Sequence, residues 1–261
     1  MPRRSGQRGG SVDPVAAYIA AMQTPPAAAV GDAIRALIYG LVTDGLWRRF
    51  ALFYLMNLAT EQASRLNAVA PTRNTLTDVG AAPTHVSGVG GAGGITANGA
   101  ALDTGFVAAT TGGHMVNAQT ALWAIRSWTD ALSTNADFGD QSRILGRLHT
   151  TAGATTSRTQ DGSTGTLGSP ADGSGLFAGD RGGGAARELF RNGSSLGSDT
   201  TAGGSLSTTS LYVLGGNGST VGARRVSFFA LGSSLMQAGG AAAHLALYTR
   251  LTAFEAAIGA T

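Results

Sequence analysis

The chain has 261 residues, a length that supports one large domain or two small ones around a substantial core. Forty residues are glycine, 43% are hydrophobic and only 13% are charged. This composition disfavours a helical bundle with solvated faces. It also excludes a disordered chain and, because the glycines follow no three-residue period, a collagen. A turn-rich, mainly β protein is expected.

The net charge of +3 is concentrated at the N-terminus. All 18 basic residues are arginine, against 15 acidic residues, and Arg3, Arg4 and Arg8 lie within the first eight positions. Without these three, 15 arginines face 15 acids, so we expect no basic surface for nucleic acid. The absence of cysteine excludes disulfides and thiolate metal sites. The longest apolar runs, 36–42 and 50–58, are shorter than the ~18 residues of a membrane span, so no membrane insertion is expected.

The N-terminal part reads as helical. Residues 1–12 form a glycine- and arginine-rich tail that is expected to be disordered. From residue 13 to 70, apolar residues recur at helical spacing and predict three helices, near 14–22, 27–43 and 45–67. Residues 71–98 contain mostly Thr, Gly, Ala and Pro and are interpreted as a linker or an irregular strand.

The rest of the chain, 99–261, has the pattern of an antiparallel sandwich. Asn192-Gly193 predicts a type I′ hairpin turn, and a final helix is expected from Leu235 to Ile258, with a capping box of Ser234 and Gln237. Short runs with alternating or β-branched character predict a jelly roll. These runs are 100–107, 120–128, 142–149, 174–179, 185–191, 195–199, 208–214 and 223–231.

Two catalytic-looking motifs do not fit their surroundings. Gly88 to Gly93 matches the dinucleotide-binding spacing, but a glycine-rich segment precedes it and β-like sequence follows it, where a strand and a helix are needed. Gly193 to Gly197 matches the nucleophile elbow, but it lies in the return strand of a hairpin. We therefore expect no cofactor.

Acidic residues are too sparse for an obvious glycosidase pair. The three glutamates are Glu61, Glu188 and Glu255, and no two share a predicted strand. The sequence therefore predicts that the protein is not an enzyme. The four histidines are scattered without helical pairing, so no metal site is predicted, although loop aspartates leave calcium open.

Three residues are candidates for contact with a sugar. Trp128 ends a predicted strand and offers an aromatic face, Arg181 offers a guanidinium for an acidic glycan, and Asn217 offers an amide for hydroxyls. Trp123, which alternates with Ile125, is interpreted as core.

The order of several short motifs resembles virion proteins of tailed phages and prophages. These motifs are Gln62 to Val69, Leu102 to Phe106, Leu189 to Leu196, Leu211 to Gly216 and Arg224 to Phe229, followed by an alanine-rich helix. The C-terminal half resembles the concanavalin A-like, laminin-G-type jelly roll, and a closer similarity is to the head spike or head fibre of gene transfer agents. The resemblance spans nearly all of residues 13 to 261.

This resemblance implies a spike or fibre subunit on a virion, whose jelly roll binds host cell-surface polysaccharide. A homo-oligomer is expected because the helical segment carries more large apolar side chains than three short helices can bury among themselves. A capsid or tail decoration protein that never touches the host and a glycan lyase or hydrolase on the same scaffold are the alternatives. Residues 13–70 are expected to attach the protein to capsid or other virion proteins, with Arg3, Arg4 and Arg8 in an acidic groove of the neighbour. Residues 71–261 are then expected to fold alone. Alternatively, the jelly roll of the same chain covers the helices.

Overall fold

The computed structural model describes residues 13–111, 120–140, 142–161, 163–216 and 220–260. The described helices are α1 (Pro14–Ala20), α2 (Ala28–Thr43), α3 (Glu61–Arg65), α4 (Ala108–Thr111), α5 (Met236–Gly239) and α6 (Ala241–Ala257), with one 3-10 turn at Trp47–Arg49. Asp13 caps α1 by accepting a hydrogen bond from the Val15 amide, and Pro14 occupies the first helical position.

The described strands follow in chain order. They are β1 (Phe50–Leu55), β2 (Thr77–Gly80), β3 (Thr84–Val86), β4 (Gly94–Thr96), β5 (Ala100–Asp103), β6 (Ala121–Ser127), β7 (Phe138–Gly139), β8 (Ile144–Arg147), β9 (Thr155–Thr159), β10 (Gly165–Gly168), β11 (Gly175–Gly183), β12 (Ala186–Arg191), β13 (Ser194–Asp199), β14 (Tyr212–Val213), β15 (Gly215–Gly216), β16 (Thr220–Val221) and β17 (Arg225–Gly232).

These strands form two packed, mainly antiparallel sheets. Sheet A has the order β13-β12-β11-β6-β17-β4-β3. Strand β17 pairs with β4 at its start and with β1 along the rest of its length. Sheet B has the order β10-β9-β8-β7-β14-β5-β2, with β15 and β16 joined at β7. The predicted fold class, a mainly β antiparallel jelly-roll sandwich with N-terminal helices and a docked C-terminal helix, is confirmed.

The side chains of sheet A alternate between two cores. Trp123 and Ile125 point between the sheets, together with Phe177 and Phe229, whereas Leu122 on the same strand points to the helices. Trp123 is fully buried and its indole N–H donates to Thr159 Oγ1 at 3.0 Å, so its assignment to the core is confirmed. The molecule therefore has three layers in the described residues: helices, sheet A and sheet B.

The third predicted helix, near 45–67, is wrong over most of its length. Phe50–Leu55 is strand β1, paired with β17, and only Glu61–Arg65 is α-helical. Phe53 faces the helices and Leu52 faces the sandwich, so both faces of β1 are buried. A strand buried on both faces has a continuous apolar sequence, which periodicity cannot distinguish from a buried helix.

The segment 71–98 contains three strands, β2, β3 and β4. Residues 13–70 share one hydrophobic cluster with the outer face of sheet A, for example through Leu37, Phe53 and Phe228. The jelly roll of the same chain thus covers much of the helical segment. The functional division into an anchor and a receptor-binding domain stays a prediction.

Two details of the C-terminal half were predicted with different success. The type I′ turn is confirmed, with φ of 51° at Asn192 and 80° at Gly193. The capping box at Ser234 is wrong, because no side chain of α5 caps it; the Asp180 carboxylate of β11 instead accepts hydrogen bonds from the amides of Leu235 and Met236. Gly240, with φ of 61°, separates α5 from α6.

Candidate functional site

Arg181 is buried inside the sandwich and cannot meet a ligand at the surface. Its side chain has no exposed area; it donates to Asp161 Oδ2 at 2.9 Å and to the carbonyls of Thr159 and Thr201. Asp161 is also fully buried and accepts a second guanidinium, that of Arg187, at 2.6 Å. The prediction that Arg181 contacts a glycan is therefore wrong: it neutralises a buried carboxylate.

Trp128 lies just beyond β6, partly buried against the helix-side core. The Arg126 guanidinium lies 4.6 Å from the centre of its ring, so part of the indole is already covered. Its role in sugar binding stays a prediction. Asn217, Arg3, Arg4 and Arg8 lie outside the described residues.

A buried arginine that sequence analysis did not select organises one end of the sandwich. Arg224, just before β17, is 1% exposed, and its Nε donates to Asp137 Oδ1 at 2.8 Å. Its two terminal nitrogens donate to four backbone carbonyls, those of Thr129, Ala131, His149 and Gly173. One side chain thus joins the loops 128–137, 148–154 and 169–174, which we call the Arg224 rim.

The Arg224 rim carries two carboxylates that solvent reaches, the exposed Asp130 and the partly exposed Asp172. Asp130 accepts the Gly173 amide at 2.7 Å and the His149 ring Nδ1 at 2.8 Å, both through Oδ1. Asp172 accepts the Ser174 amide, the Ser174 hydroxyl and the Arg191 guanidinium, again all through Oδ1. Across the described ranges, the Oδ2 atom of each accepts no hydrogen bond.

Both carboxylates are held in the charged form. Hydrogen bonds from the Gly173 amide and from His149 lower the pKa of Asp130, and the nearby charge of Asp172 opposes this shift. The hydrogen bond from the Ser174 hydroxyl, with help from Arg191, lowers the pKa of Asp172 to about 2. At neutral pH these groups can accept hydrogen bonds, and neither is suited to donate a proton.

The two carboxyl groups whose pKa is raised lie elsewhere. Burial raises the pKa of Asp137, whose partner is Arg224, and of Glu255, whose side chain on α6 meets Arg126 and Ser227. In the described part of the chain, no group of three or more histidine, aspartate or glutamate side chains could hold a metal ion. No described helix is long and apolar enough to cross a bilayer.

The sequence contained only weak signals for the Arg224 rim. Asp172-Gly-Ser174 has the spacing of an Asx turn, which is common in loops without function. Arg224 stood within a motif of the resemblance, but nothing in its neighbours showed that it is buried. Its carbonyl partners come from three loops distant in sequence, so the cluster follows from the tertiary fold alone.

Comparison with known proteins shows a fold and no family. No protein-family model matches the chain, and no curated protein matches it. A sialidase from Trypanosoma rangeli is similar over 84% of this chain and 38% of its own, with 10% identity and a TM-score of 0.50. Domain 4 of an extracellular arabinanase from Geobacillus stearothermophilus, in complex with arabinotriose, covers 76% of this chain and 98% of its own, at 12% identity and a TM-score of 0.47.

These likenesses show the sandwich fold alone, a fold that occurs in proteins that bind or act on carbohydrate. They contradict the expectation that the protein is not an enzyme, since the similar structures include a sialidase in complex with 2,3-difluorosialic acid as a covalent intermediate. The scarcity of glutamate was therefore an insufficient reason to exclude glycan chemistry on this scaffold.

Proposed function

We propose that the protein binds carbohydrate at the Arg224 rim. The observation that carries this proposal is a pair of carboxylates, the exposed Asp130 and the partly exposed Asp172, each held through Oδ1 while its Oδ2 accepts no hydrogen bond from the described residues. Ionised carboxylates are strong acceptors for the hydroxyl groups of a sugar. Because His149 and the Gly173 amide hold Asp130, and Ser174 and Arg191 hold Asp172, little side-chain entropy is lost when a ligand binds.

The rim also offers an apolar surface for the C–H side of a sugar ring. Leu132, in the same loop as Asp130, is 57% exposed and follows Ala131, whose carbonyl is held by Arg224. Loops at the end of a sandwich commonly carry binding residues because the paired strands hold the fold. A shallow site of this kind supports weak single-site affinity, on the order of mM, which many copies would raise by avidity.

A glycan array tests this proposal. We expect the wild-type chain to bind a subset of glycans, and the double variant Asp130→Asn/Asp172→Asn to lose at least about tenfold in signal, since the amide removes the charge but keeps the loop hydrogen bonds. Asp32→Asn is the matched control, because Asp32 is an exposed carboxylate on α2. Absence of binding by the folded chain, or equal binding by the double variant, would contradict the proposal. In the same experiment, the length of the bound glycan is measured over time, and a decrease would show that the protein cleaves it.

We further propose that this binding serves adsorption of a virion to its host. The support is the order of sequence motifs that resembles phage and gene-transfer-agent spike proteins. In this proposal the protein is a homo-oligomeric head spike or fibre, attached through residues 13–70 and the Arg3, Arg4 and Arg8 tail to capsid or other virion proteins. Particles lacking the protein should adsorb poorly to host cells; unchanged adsorption would favour a decoration protein.

A further inference from the structure

Two tight turns of the described chain are built on the same dipeptide, Asn98-Gly99 and Asn192-Gly193. The first joins β4 of sheet A to β5 of sheet B, and the second joins β12 to β13 within sheet A. Both turns have positive φ at both residues, 42° and 82° in the first and 51° and 80° in the second, as a type I′ turn requires. A third Asn-Gly pair, at Asn217, lies outside the described residues.

The turn at Asn98 is open to solvent. Asn98 and Gly99 are both exposed, and a Cβ added at Gly99 would have no neighbour within 4 Å. The Ala100 amide closes the turn by donating to the Ala97 carbonyl at 2.7 Å. Within the described ranges, the Asn98 side chain forms no hydrogen bond and the Gly99 amide donates none. The side-chain amide is therefore free to rotate toward the Gly99 nitrogen.

The turn at Asn192 is held by β11 and covered by α6. Asn192 Oδ1 accepts a hydrogen bond from the Leu176 amide at 2.9 Å, and the Asn192 amide donates to the Leu176 carbonyl at 2.8 Å. Gly193 is buried, and a Cβ added to it would lie 2.7 Å from the Leu245 Cα. Rotation of the Asn192 side chain toward the Gly193 nitrogen would break a hydrogen bond that the fold supplies.

An asparagine that precedes glycine can cyclise because glycine has no side chain to hinder its own nitrogen. The glycine nitrogen, on losing its proton to water or hydroxide, forms a bond to the asparagine Cγ. The Cγ–Nδ2 bond breaks, and the side-chain nitrogen leaves as ammonia. Water then opens the five-membered imide at one of its two carbonyls and gives aspartate, or isoaspartate when the chain continues through the side-chain carbonyl. Water is the co-reactant, and the net change is the hydrolysis of one amide.

We propose that Asn98 is a site of spontaneous deamidation in the folded protein and that the fold protects Asn192. The reaction gives the turn between β4 and β5 a new carboxylate. In the isoaspartate product, the backbone is one carbon longer between Ala97 and Ala100, both of which are fully buried. Close packing on each side leaves the turn little room for this carbon, so isoaspartate lowers the stability of the sandwich. The site shares no residue with the Arg224 rim and is independent of the carbohydrate binding proposed above.

Ageing of the full-length protein tests the proposal. The protein is kept in mildly alkaline buffer at physiological temperature and is then digested with pepsin in acid, where the reaction is slow. Chromatography and mass spectrometry measure the aspartate and isoaspartate forms of the peptides that carry each asparagine. We expect Asn98 to be converted at least about tenfold faster than Asn192. Equal rates at the two sites, or faster conversion of Asn192, would overturn the proposal.

The same protein aged in denaturant is the control for local sequence. Once the chain is unfolded, both Asn-Gly pairs are open to water, and we expect their rates to agree within about threefold. A tenfold difference that persists in denaturant would show that the neighbouring residues in sequence set the rates, and it would overturn the protective role of the fold.

The variant Asn98→Gly separates the modification from other effects of ageing. Glycine adopts positive φ readily and Gly-Gly is compatible with a type I′ turn, so this variant keeps the turn and has no side-chain amide to lose. After ageing, the urea midpoint of the wild-type protein should fall with its isoaspartate content, while that of the variant should not change. An equal fall in the variant, or an unchanged midpoint in wild-type protein that carries isoaspartate at position 98, would contradict the effect of the modification on stability.

Discussion

Arg224 acts from a position that solvent does not reach. Its guanidinium meets one carboxylate and four carbonyls, and the carboxyl partner Asp137 is itself buried, with its pKa raised by burial against the pull of Arg224. A buried ion pair of this kind adds little over a well-packed apolar pair, but breaking it leaves an uncompensated charge and orphaned carbonyls.

We therefore predict that Arg224→Met destabilises the protein by about 3–5 kcal/mol. Arg191→Met is the control, because Arg191 is 19% exposed and its partner Asp172 lies at the surface, so its loss should cost about 1 kcal/mol or less. Urea unfolding of both variants measures the difference. Equal losses would contradict the organising role of Arg224.

At Asp172, the hydroxyl of Ser174 is the main cause of the low pKa. We predict that Ser174→Ala raises this pKa from about 2 toward the ordinary value of 3.8, as followed by carboxyl-carbon NMR. A lowered carboxyl pKa contributes stability that is present above the unfolded value and is lost as pH falls through the folded value. The variant should therefore lose less stability than wild type between pH 4 and about pH 2.

Ser195→Ala, at an exposed serine on β13, is the control and should leave the Asp172 pKa unchanged. A pKa near 2 in Ser174→Ala would show that the amide of residue 174 and Arg191 hold the charged form without the hydroxyl.

At the scale of elements, glycines in the strands of the sandwich leave space for its aromatic side chains. A Cβ at Gly179 on β11 would lie 2.3 Å from the Trp123 ring, and one at Gly146 on β8 would lie 2.1 Å from the Phe138 ring. Trp123 and Phe138 themselves meet at 4.7 Å between centroids. Glycine at these positions makes room for the rings, which explains part of the high glycine content of the strands.

We predict that Gly179→Ala destabilises the protein by about 1–3 kcal/mol through overpacking. Gly184→Ala, in a turn where an added Cβ would have no neighbour within 4 Å, should change stability by less than about 0.5 kcal/mol. Thermal unfolding compares the two. A neutral Gly179→Ala would mean that the Trp123 ring can shift at little cost.

The elements also show how far the sequence could predict this fold. The Asn192-Gly193 turn was predictable because a type I′ turn needs two positive φ angles at adjacent residues. Strand β1 was not, because a sheet covered on both faces removes the alternation that identifies a strand. The Arg224 rim was not predictable because its hydrogen bonds join residues up to 95 positions apart.

At the scale of the whole molecule, the helical layer and sheet A depend on each other. β1 pairs with β17 through residues 50–55, and the cluster on that face of sheet A contains Leu37 and Ile38 of α2 as well as Leu247 and Leu251 of α6. Removing residues 13–70 would expose this apolar face and the edge of β17 to water.

We predict that residues 71–261, expressed alone, are insoluble or lack cooperative unfolding, the opposite of what the sequence led us to expect. Circular dichroism and a thermal scan measure this. The control is the chain from residue 13 onward, which keeps every helix that the structure describes and should unfold cooperatively. A soluble, cooperatively folded 71–261 would show that the helices are an accessory layer.

The most direct test of the central claim is an NMR titration of labelled protein with a glycan selected on the array. If the Arg224 rim is the binding site, the carboxyl-carbon signals of Asp130 and Asp172 shift together with one saturation curve, while that of Asp32 on α2 stays constant. If the glycan saturates the protein and shifts other NMR signals while the carboxyl-carbon signals of Asp130 and Asp172 stay unchanged, the account is contradicted.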